Sequence, residues 1–348
     1  MKKEFSLLLI LFFLILSFVI SKCKSPVNNE SYAEPDTIDI FEYNKELGRG
    51  INLGNALEAP SEGDWGVTIR EEYFSIIKKA GFDNVRIPIR WSAHTSVDSP
   101  YTINHNFINR VDQVLYQALN NDLKVIINVH HYNEIMENPD EEKAKLYSIW
   151  RQLSSHYQDF SVELSFEILN EPNDQLTPEL WNVYLSDLVE IIRNKNSMRP
   201  LIIGTASWGG LSSLSDLDLP EDNRLILTLH YYEPFQFTHQ GAEWVDGSDE
   251  WLGTIWRNKA AEVQSIVSDF ITIDQWAAAN NIPVFIGEFG AYSRADSTSR
   301  HLWTERIREE AESRNFSWAY WEFCSGFGAY DDQAGQWRNF LLNALIPE

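Results

Sequence analysis

Cysteine is nearly absent from this chain: its 348 residues hold two, Cys23 and Cys324. A bridge between them would tie the N-terminal leader to the far end of the chain. No disulfide framework is therefore available, and the core must hold the domain by itself. Positive charge is also scarce, with 28 Lys and Arg against 51 Asp and Glu and a formal net charge of −23. Such a surface repels nucleic acid and anionic membranes, which argues against both as partners, and it suits a neutral ligand. Past the N-terminal region there is no low-complexity stretch and no sign of a second module. Length alone does not choose between one large domain and two small ones.

There is one long apolar run, Leu7 to Ile20, and it follows Lys2 and Lys3. That charged-then-apolar layout is an export signal. The run is shorter than the roughly twenty apolar residues that a membrane span needs, so no integral membrane domain is expected beyond this signal or a lipid anchor. Cys23 stands directly after it, as in a bacterial lipoprotein signal, but Lys22 occupies the place of the small residue expected there. Lipidation at Cys23, ordinary cleavage and retention as an anchor all stay open. Residues 1–24 read as the signal, 25–36, rich in Ser, Asn, Pro and Glu, as a tether, and 37–348 as a single folded domain. The expected location is outside the cytoplasm, secreted or on the cell surface.

The domain alternates. Apolar runs of strand length fall at 50–55, 84–91, 124–131, 164–172, 200–206, 224–232, 283–290 and 317–324. They are rich in Ile, Val, Leu and Phe without strict alternation, as strands buried on both faces are. Stretches with apolar spacing of three and four lie between them. Ile69 to Ala80 ends at Gly81, Asn106 to Asn120 carries Phe107, Ile108, Val111, Val114, Leu115 and Leu119, and Pro178 to Arg193 follows the N-cap Thr177. Eight such units predict an α/β fold, a closed (β/α)8 TIM barrel. A doubly wound open sheet is the competitor, but it has fewer strands and a glycine-rich first turn. The segment from 233 to 282 is the longest gap and predicts a loop wall beside the cleft as well as a helix.

Two of the strand-like runs close on a glutamate, Glu171 and Glu288. A carboxylate is costly to bury, so a buried strand ending on one needs a chemical reason. Two of them facing across a pocket are how glycosidic bonds are cut. Polar and aromatic groups gather at the other strand ends: Asn55 and Glu58 after the first, Arg86, Pro88 and Trp91 on the second, His130 and His131 on the third. The fourth carries Asn170, the sixth His230 and Tyr232, the eighth Trp321 and Glu322. That rim is where barrel enzymes keep their chemistry. The 13 Trp supply flat faces that suit sugar rings, although most Trp in any protein simply pack.

The ordered set Arg86, His130, Asn170-Glu171-Pro172, His230, Tyr232, Glu288 and Trp321 resembles the signature of glycoside hydrolase family 5, the cellulase family. The resemblance covers roughly residues 45 to 345. The segments Gly48 to Glu58 (GRGINLGNALE), Phe237 to Trp244 (FTHQGAEW) and Trp321 to Gly328 (WEFCSGFG) are similar to the branch of thermophilic endoglucanases that also cut β-mannan. The resemblance implies a retaining endo-β-1,4-glycanase acting on plant polysaccharide by double displacement. It makes Glu171 the general acid/base and Glu288 the nucleophile. Arg86 would hold Glu288 ionised, Tyr232 would donate to it, and Asn170 would bind the sugar 2-hydroxyl. His130 and His230 would complete the hydrogen-bond frame, with Trp321 stacked under the sugar. Asn55, Glu58, His131, His239 and Trp244 are the substrate-binding candidates. No cofactor and no metal are implied, and a monomer is expected.

Plainer readings stand beside these. Arg86 could be a core ion-pair partner, His131 a structural histidine, Asn55 and Glu58 shapers of the first loop, and His239 and Trp244 loop aromatics that pack. Pro88 reads as shaping the end of the second strand. Trp91, Trp208 and Trp303 read as packing, Cys324 as a small buried residue, and Glu322 receives no role. Two rival classes remain: a metal-dependent barrel hydrolase and a catalytically dead carbohydrate-binding barrel. Against the first, no His-x-His lies on the first strand, no Asp closes the last, and an Arg in the cluster opposes a cation. Against the second, both glutamates are present with Arg86 and Tyr232. Glucan, mannan and xyloglucan remain open as substrates.

Overall fold

The computed structural model describes residues 38–347; the expected signal and tether, residues 1–36, lie outside them. Eight parallel strands close into a barrel in chain order, with β8 pairing back to β1. They are β1 (Arg49–Asn52), β2 (Asn84–Ile87), β3 (Lys124–Asn128), β4 (Leu164–Glu167), β5 (Leu201–Gly204), β6 (Leu225–His230), β7 (Val284–Glu288) and β8 (Ser317–Tyr320). All eight apolar runs became strands, and most of the runs outlast the ladder at their C-terminal ends. Those trailing residues, such as Ile168 to Glu171 after β4, leave the ladder to form the rim on which the site stands.

The helices lie around this barrel: α1 (Ile40–Leu47), α2 (Glu71–Ala80), α3 (His105–Leu119), α4 (Asn133–Glu137), α5 (Pro139–His156), α6 (Pro178–Arg193), α7 (Phe235–Thr238), α8 (Ala260–Asn280), α9 (Ser297–Glu312) and α10 (Asn339–Leu345). The three helical stretches read from spacing fall on α2, α3 and α6 within two residues of the expected bounds. Gly81 ends α2 with a left-handed φ of 103°, a conformation that glycine adopts without steric cost, and its N–H bonds back to the last carbonyls. Thr177 caps α6 by accepting the Leu180 amide. The segment between β6 and β7 holds α7, a 3-10 turn at Ser248–Trp251 and α8, so its first half is the predicted loop wall. A short antiparallel hairpin, β9 (Tyr330–Asp331) and β10 (Gln336–Trp337), follows β8.

The main core fills the space between strands and helices. Val85, Ile87, Val125, Ile127 and Ile286 meet Phe74, Ile77, Val114, Leu115, Trp150 and Trp303 there. The barrel interior is a second, smaller core. Ile126, Ile202, Ile226, Phe285 and Ala319 point inward and are met by Ile40, Tyr43 and Leu47 of α1. Asn44 binds the Val284 carbonyl at 2.9 Å, and Ser317 binds Asn44 at 2.8 Å. Helix α1 thereby plugs the N-terminal end of the barrel, leaving the C-terminal rim for chemistry.

Candidate active site

Register brings the first polar groups together. Asn52 at the end of β1 pairs with Arg86 on β2, Asn128 on β3 with Glu167 on β4, and His230 on β6 with Glu288 on β7. The ladder shifts between Leu229 and His230. Arg86 is fully buried and spends all five of its N–H donors. Nε and Nη2 bind the two oxygens of Glu167, both at 2.6 Å. Nη1 binds Asn52 Oδ1 at 2.8 Å and Glu288 Oε1 at 2.7 Å, and Nη2 also binds Asn170 Oδ1 at 2.7 Å. Tyr232 Oη donates to the other oxygen of Glu288 at 2.9 Å. Gly287 has to be glycine, because a Cβ there would stand 2.5 Å from Thr228 Oγ1 and 3.1 Å from His230 Nε2.

Glu171 arrives from a different geometry. It lies four residues past the end of β4 with a φ of 46°, a left-handed conformation rare for a side chain of its size. Asn55, His131 and Trp208 share that feature at φ 64°, 48° and 66°, so the loops after β1, β3, β4 and β5 all carry backbone strain at the rim. His230 Nδ1 sits 2.7 Å from Glu171 Oε1 and 3.6 Å from Glu288 Oε2. The reactive atoms of Glu171, His230 and Glu288 all lie within 4.8 Å of one another. Those three groups are of the kind that hold a metal ion, but Glu288 already receives a guanidinium and a phenol.

The charges follow from this contact list. Burial raises Glu171, yet the hydrogen bond and charge of His230 outweigh it, and the net shift is downward. Burial also raises Glu288; His230 and Arg86 pull it back only in part, and the net shift is upward. Arg86 acts in the expected sense, favouring the charged form, but desolvation of Glu288, a residue with only 4 % of its surface exposed, is the larger effect. Burial lowers His230, and Glu288 and Glu171 override it, for a net rise. His130 goes well below its usual value chiefly because it is buried, and His131, Arg86 and His230 nearby add to the effect. It is therefore a neutral ring, held by Asn128 at 3.0 Å through Nδ1 and parallel to Trp321 at 5.9 Å.

The remaining candidates divide. His131 stands edge-on between Trp65 at 5.4 Å and His130 at 4.5 Å, on the rim. Trp244 is 59 % exposed and meets Tyr292 edge-on at 4.9 Å. His239 is buried, stacked on Phe235 at 4.0 Å and edge-on to Tyr232 at 4.9 Å, and burial lowers it to about 4. Glu58 is a correction. It has no exposed surface, and its carboxylate accepts the backbone amides of Asn55 and Ala56. Its place is to hold the loop that presents the half-buried Asn55, in keeping with the plainer reading. A second correction concerns Trp208: Trp91 and Trp303 are buried, but Trp208 is 65 % exposed. It adjoins Gly209, at which a Cβ would touch both His230 and Glu171.

Four site residues were missed. Glu167, Asn52 and Asn128 look like strand residues in the sequence, and only the barrel's closure turns them toward Arg86 and His130. Their polarity inside apolar runs was the available signal. Glu322 has no exposed surface and accepts the amides of Cys324, Ser325 and Phe327, fixing the loop that carries Trp321. Cys324 lies in that loop, past the end of β8 and half-buried; burial pushes its thiol up to about 12 and leaves it unreactive.

A sequence model of the cellulase family, glycosyl hydrolase family 5, matches residues 45–326. Endoglucanase H of Acetivibrio thermocellus is 38 % identical over 322 residues, covering 90 % of this chain and 34 % of that protein. Endoglucanase A of Ruminococcus albus is 28 % identical, with 89 % and 93 % covered. The chain spans about a third of the length of the first curated relatives it matches. Among solved structures, Thermotoga maritima Cel5A in complex with mannotriose superposes with a TM-score of 0.87 at 51 % identity, covering 88 % of this chain and all of that one. The same protein in complex with cellobiose gives a TM-score of 0.88 at 51 % identity, with the same coverage.

Proposed function

The chain belongs to glycosyl hydrolase family 5, the cellulase family, and from that premise we propose that it is a retaining endo-β-1,4-glycanase acting on plant polysaccharide. The observation that carries this reading is that one carboxylate oxygen of Glu171 and one of Glu288 lie within 4.8 Å of each other, too close for a water to be activated between them. Retaining enzymes hold their two carboxyl groups about 5–5.5 Å apart, whereas inverting ones need about 6.5–9.5 Å to admit a water. Glu171 gives its proton to the glycosidic oxygen as that bond breaks, and Glu288 Oε bonds to the anomeric carbon. Glu171 then takes a proton from the water that displaces Glu288.

The proton for the first step is at hand. His230 and Glu171 share one across their 2.7 Å contact, and its transfer to the carboxylate leaves a neutral imidazole and a general acid. Glu288 is ionised when it attacks, is a neutral ester while it holds the sugar, and regains its charge when water displaces it. Arg86 occupies Oδ1 of Asn170, which turns the amide nitrogen toward a sugar hydroxyl. Trp321, Trp244 and Trp208 offer ring faces, which recognise the apolar side of a pyranose more than the configuration of one hydroxyl. Glucan and mannan backbones can share such a cleft. That fits the mannotriose and cellobiose complexes of the Thermotoga protein. The charged-then-apolar leader supports export, with the polymer met outside the cell.

The test is hydrolysis of barley β-glucan, carboxymethylcellulose, glucomannan, galactomannan and xyloglucan, with the first-formed anomer followed by NMR. Cleavage of a β-1,4-glucan with the β-anomer formed first is the expected result. No release from any polymer would leave a binding protein, and an initial α-anomer would overturn the retaining mechanism.

A further inference from the structure

Among the described residues, Glu167 is a buried ionisable group outside the proposed chemistry that is joined to the nucleophile by hydrogen bonds through a single side chain, Arg86. We propose that Glu167 is a positioning residue that aims the guanidinium of Arg86 and offsets its charge, so that Glu288 keeps the basicity needed to attack. The proposal rests on the reading of Glu288 as the nucleophile.

The aim comes from geometry. Glu167 is 1 % exposed and takes Nε and Nη2 of Arg86 as a two-point fork, both contacts at 2.6 Å. A fork of this kind fixes the plane of the guanidinium as well as its position. Once that plane is fixed, the three remaining N–H bonds point to Asn52, Glu288 and Asn170. Asn52 cannot swivel in response, because its Nδ2 is bound to the Gly287 carbonyl at 3.0 Å and the Ala319 carbonyl at 3.2 Å. Glu167 thus sets the direction from which Glu288 is held, and that of Asn170.

The offset comes from counting charge. One guanidinium lies between two buried carboxylates, Glu167 and Glu288. The charged and titratable groups that face Glu288 are Arg86 from β2, Glu171 beyond β4, His230 at the end of β6 and Tyr232 just after it. Behind Arg86 lies Glu167, and His130 on the loop after β3 is neutral. If Arg86 had no second carboxylate, its whole charge would fall on Glu288. A carboxylate so held gives up its proton at lower pH and attacks carbon less readily.

The experiment compares wild type, Glu167→Gln and Glu167→Asp as full chains, with kcat and KM measured across pH on an aryl β-cellobioside and on β-glucan. Near-UV circular dichroism checks each fold. Glu167→Gln is expected to lower kcat about 10²-fold with KM changed little, as a misaimed catalytic group does. The acid limb of its kcat profile should move to lower pH. Glu167→Asp keeps the charge, so its acid limb should stay near that of wild type even if kcat falls; this variant carries the test if Glu167→Gln does not fold, because an acid limb displaced in a folded Glu167→Asp would then overturn the offset. A loss of kcat with the acid limb unmoved in folded Glu167→Gln would make Glu167 a merely structural residue and overturn the proposal. Trapping with a 2-deoxy-2-fluoro cellobioside should label Glu288 in wild type. Failure to label it would overturn the function reading and this proposal together, whereas an unmoved limb in a labelled enzyme overturns the proposal alone.

Discussion

His230 Nδ1 and Glu171 Oε1 are 2.7 Å apart at the C-terminal end of the barrel, and each moves the other's affinity for protons in the opposite direction. Glu171 alone would be raised by burial and His230 alone lowered. Together they hold one proton between them over a wide pH range.

A bell-shaped pH dependence follows for kcat/KM. On the acid side activity falls as Glu288 takes up a proton, and because its shift is upward the limb should lie above the ordinary carboxylate range. On the alkaline side it falls when the His230–Glu171 pair loses its proton, and the raised His230 sets that limb above the usual imidazole value. His230→Asn should bring the alkaline limb down and cost on the order of 10²-fold in rate. Rates measured from pH 3 to 10 on an aryl cellobioside check this, and an alkaline limb unchanged in the variant would refute the shared-proton account.

The two carboxylates should differ when removed. Glu171→Ala should lose about 10²–10⁴-fold on β-glucan yet keep reaction with aryl glycosides whose leaving group needs no proton. Glu288→Ala should lose on the order of 10⁴–10⁶-fold on both substrates, with azide partly restoring turnover and inverting the product. Equal and azide-insensitive losses in the two variants would remove the role assignment.

Folding stability should decline from mildly acidic to mildly alkaline pH. Burial pushes Glu58 up to about 8 and Glu322 up to about 7, so the folded chain holds protons there that the unfolded chain has released. Their contribution is complete below the ordinary carboxylate pKa and is lost as pH rises through those two values. The slope approaches about 1.4 kcal/mol per pH unit for each group. Glu58→Gln and Glu322→Gln should each flatten the decline of Tm between pH 5 and 8. Slopes identical to wild type would show that neither carboxyl carries it.

Dialysis against EDTA should leave the rate on β-glucan unchanged. Glu171, His230 and Glu288 converge closely enough to suggest a cation, but Glu288 already takes an N–H of Arg86 at 2.7 Å and the His230 ring nitrogen is bonded to Glu171. A drop in rate restored by zinc or manganese would overturn this.

Cleavage should occur inside chains. The viscosity of soluble β-glucan should fall well before reducing ends accumulate, and glucomannan should also be cut. Trp208→Ala and Trp244→Ala should raise KM for polysaccharide roughly 3–10-fold with smaller effects on kcat, the loss expected of one stacking face each. Disaccharide release without early loss of viscosity would rule out the endo mode.

By itself, the sequence determined the barrel, because eight doubly buried strands announce themselves as apolar runs at regular intervals, and helices α2, α3 and α6 carry both the spacing and the stop signals that read as helix. It also marked Glu171 and Glu288, since carboxylates that close buried runs need a chemical purpose, while resemblance to the cellulase family singled out Arg86, His130, Asn170, His230, Tyr232 and Trp321. Tertiary structure alone decided what those groups do to one another. Glu167 reads as one more polar residue in a strand until closure of the barrel sets it against Arg86. Glu58 resembles a rim residue until its carboxylate is found on two backbone amides, and Trp208 looks like packing until its ring proves exposed. Proton affinities belong to the same class: burial and the 2.7 Å approach of His230 reorder Glu171 and Glu288, and neither is a property of local sequence. Strand and helix patterns are written in neighbours along the chain, whereas hydrogen-bond partners, desolvation and exposure depend on neighbours in space.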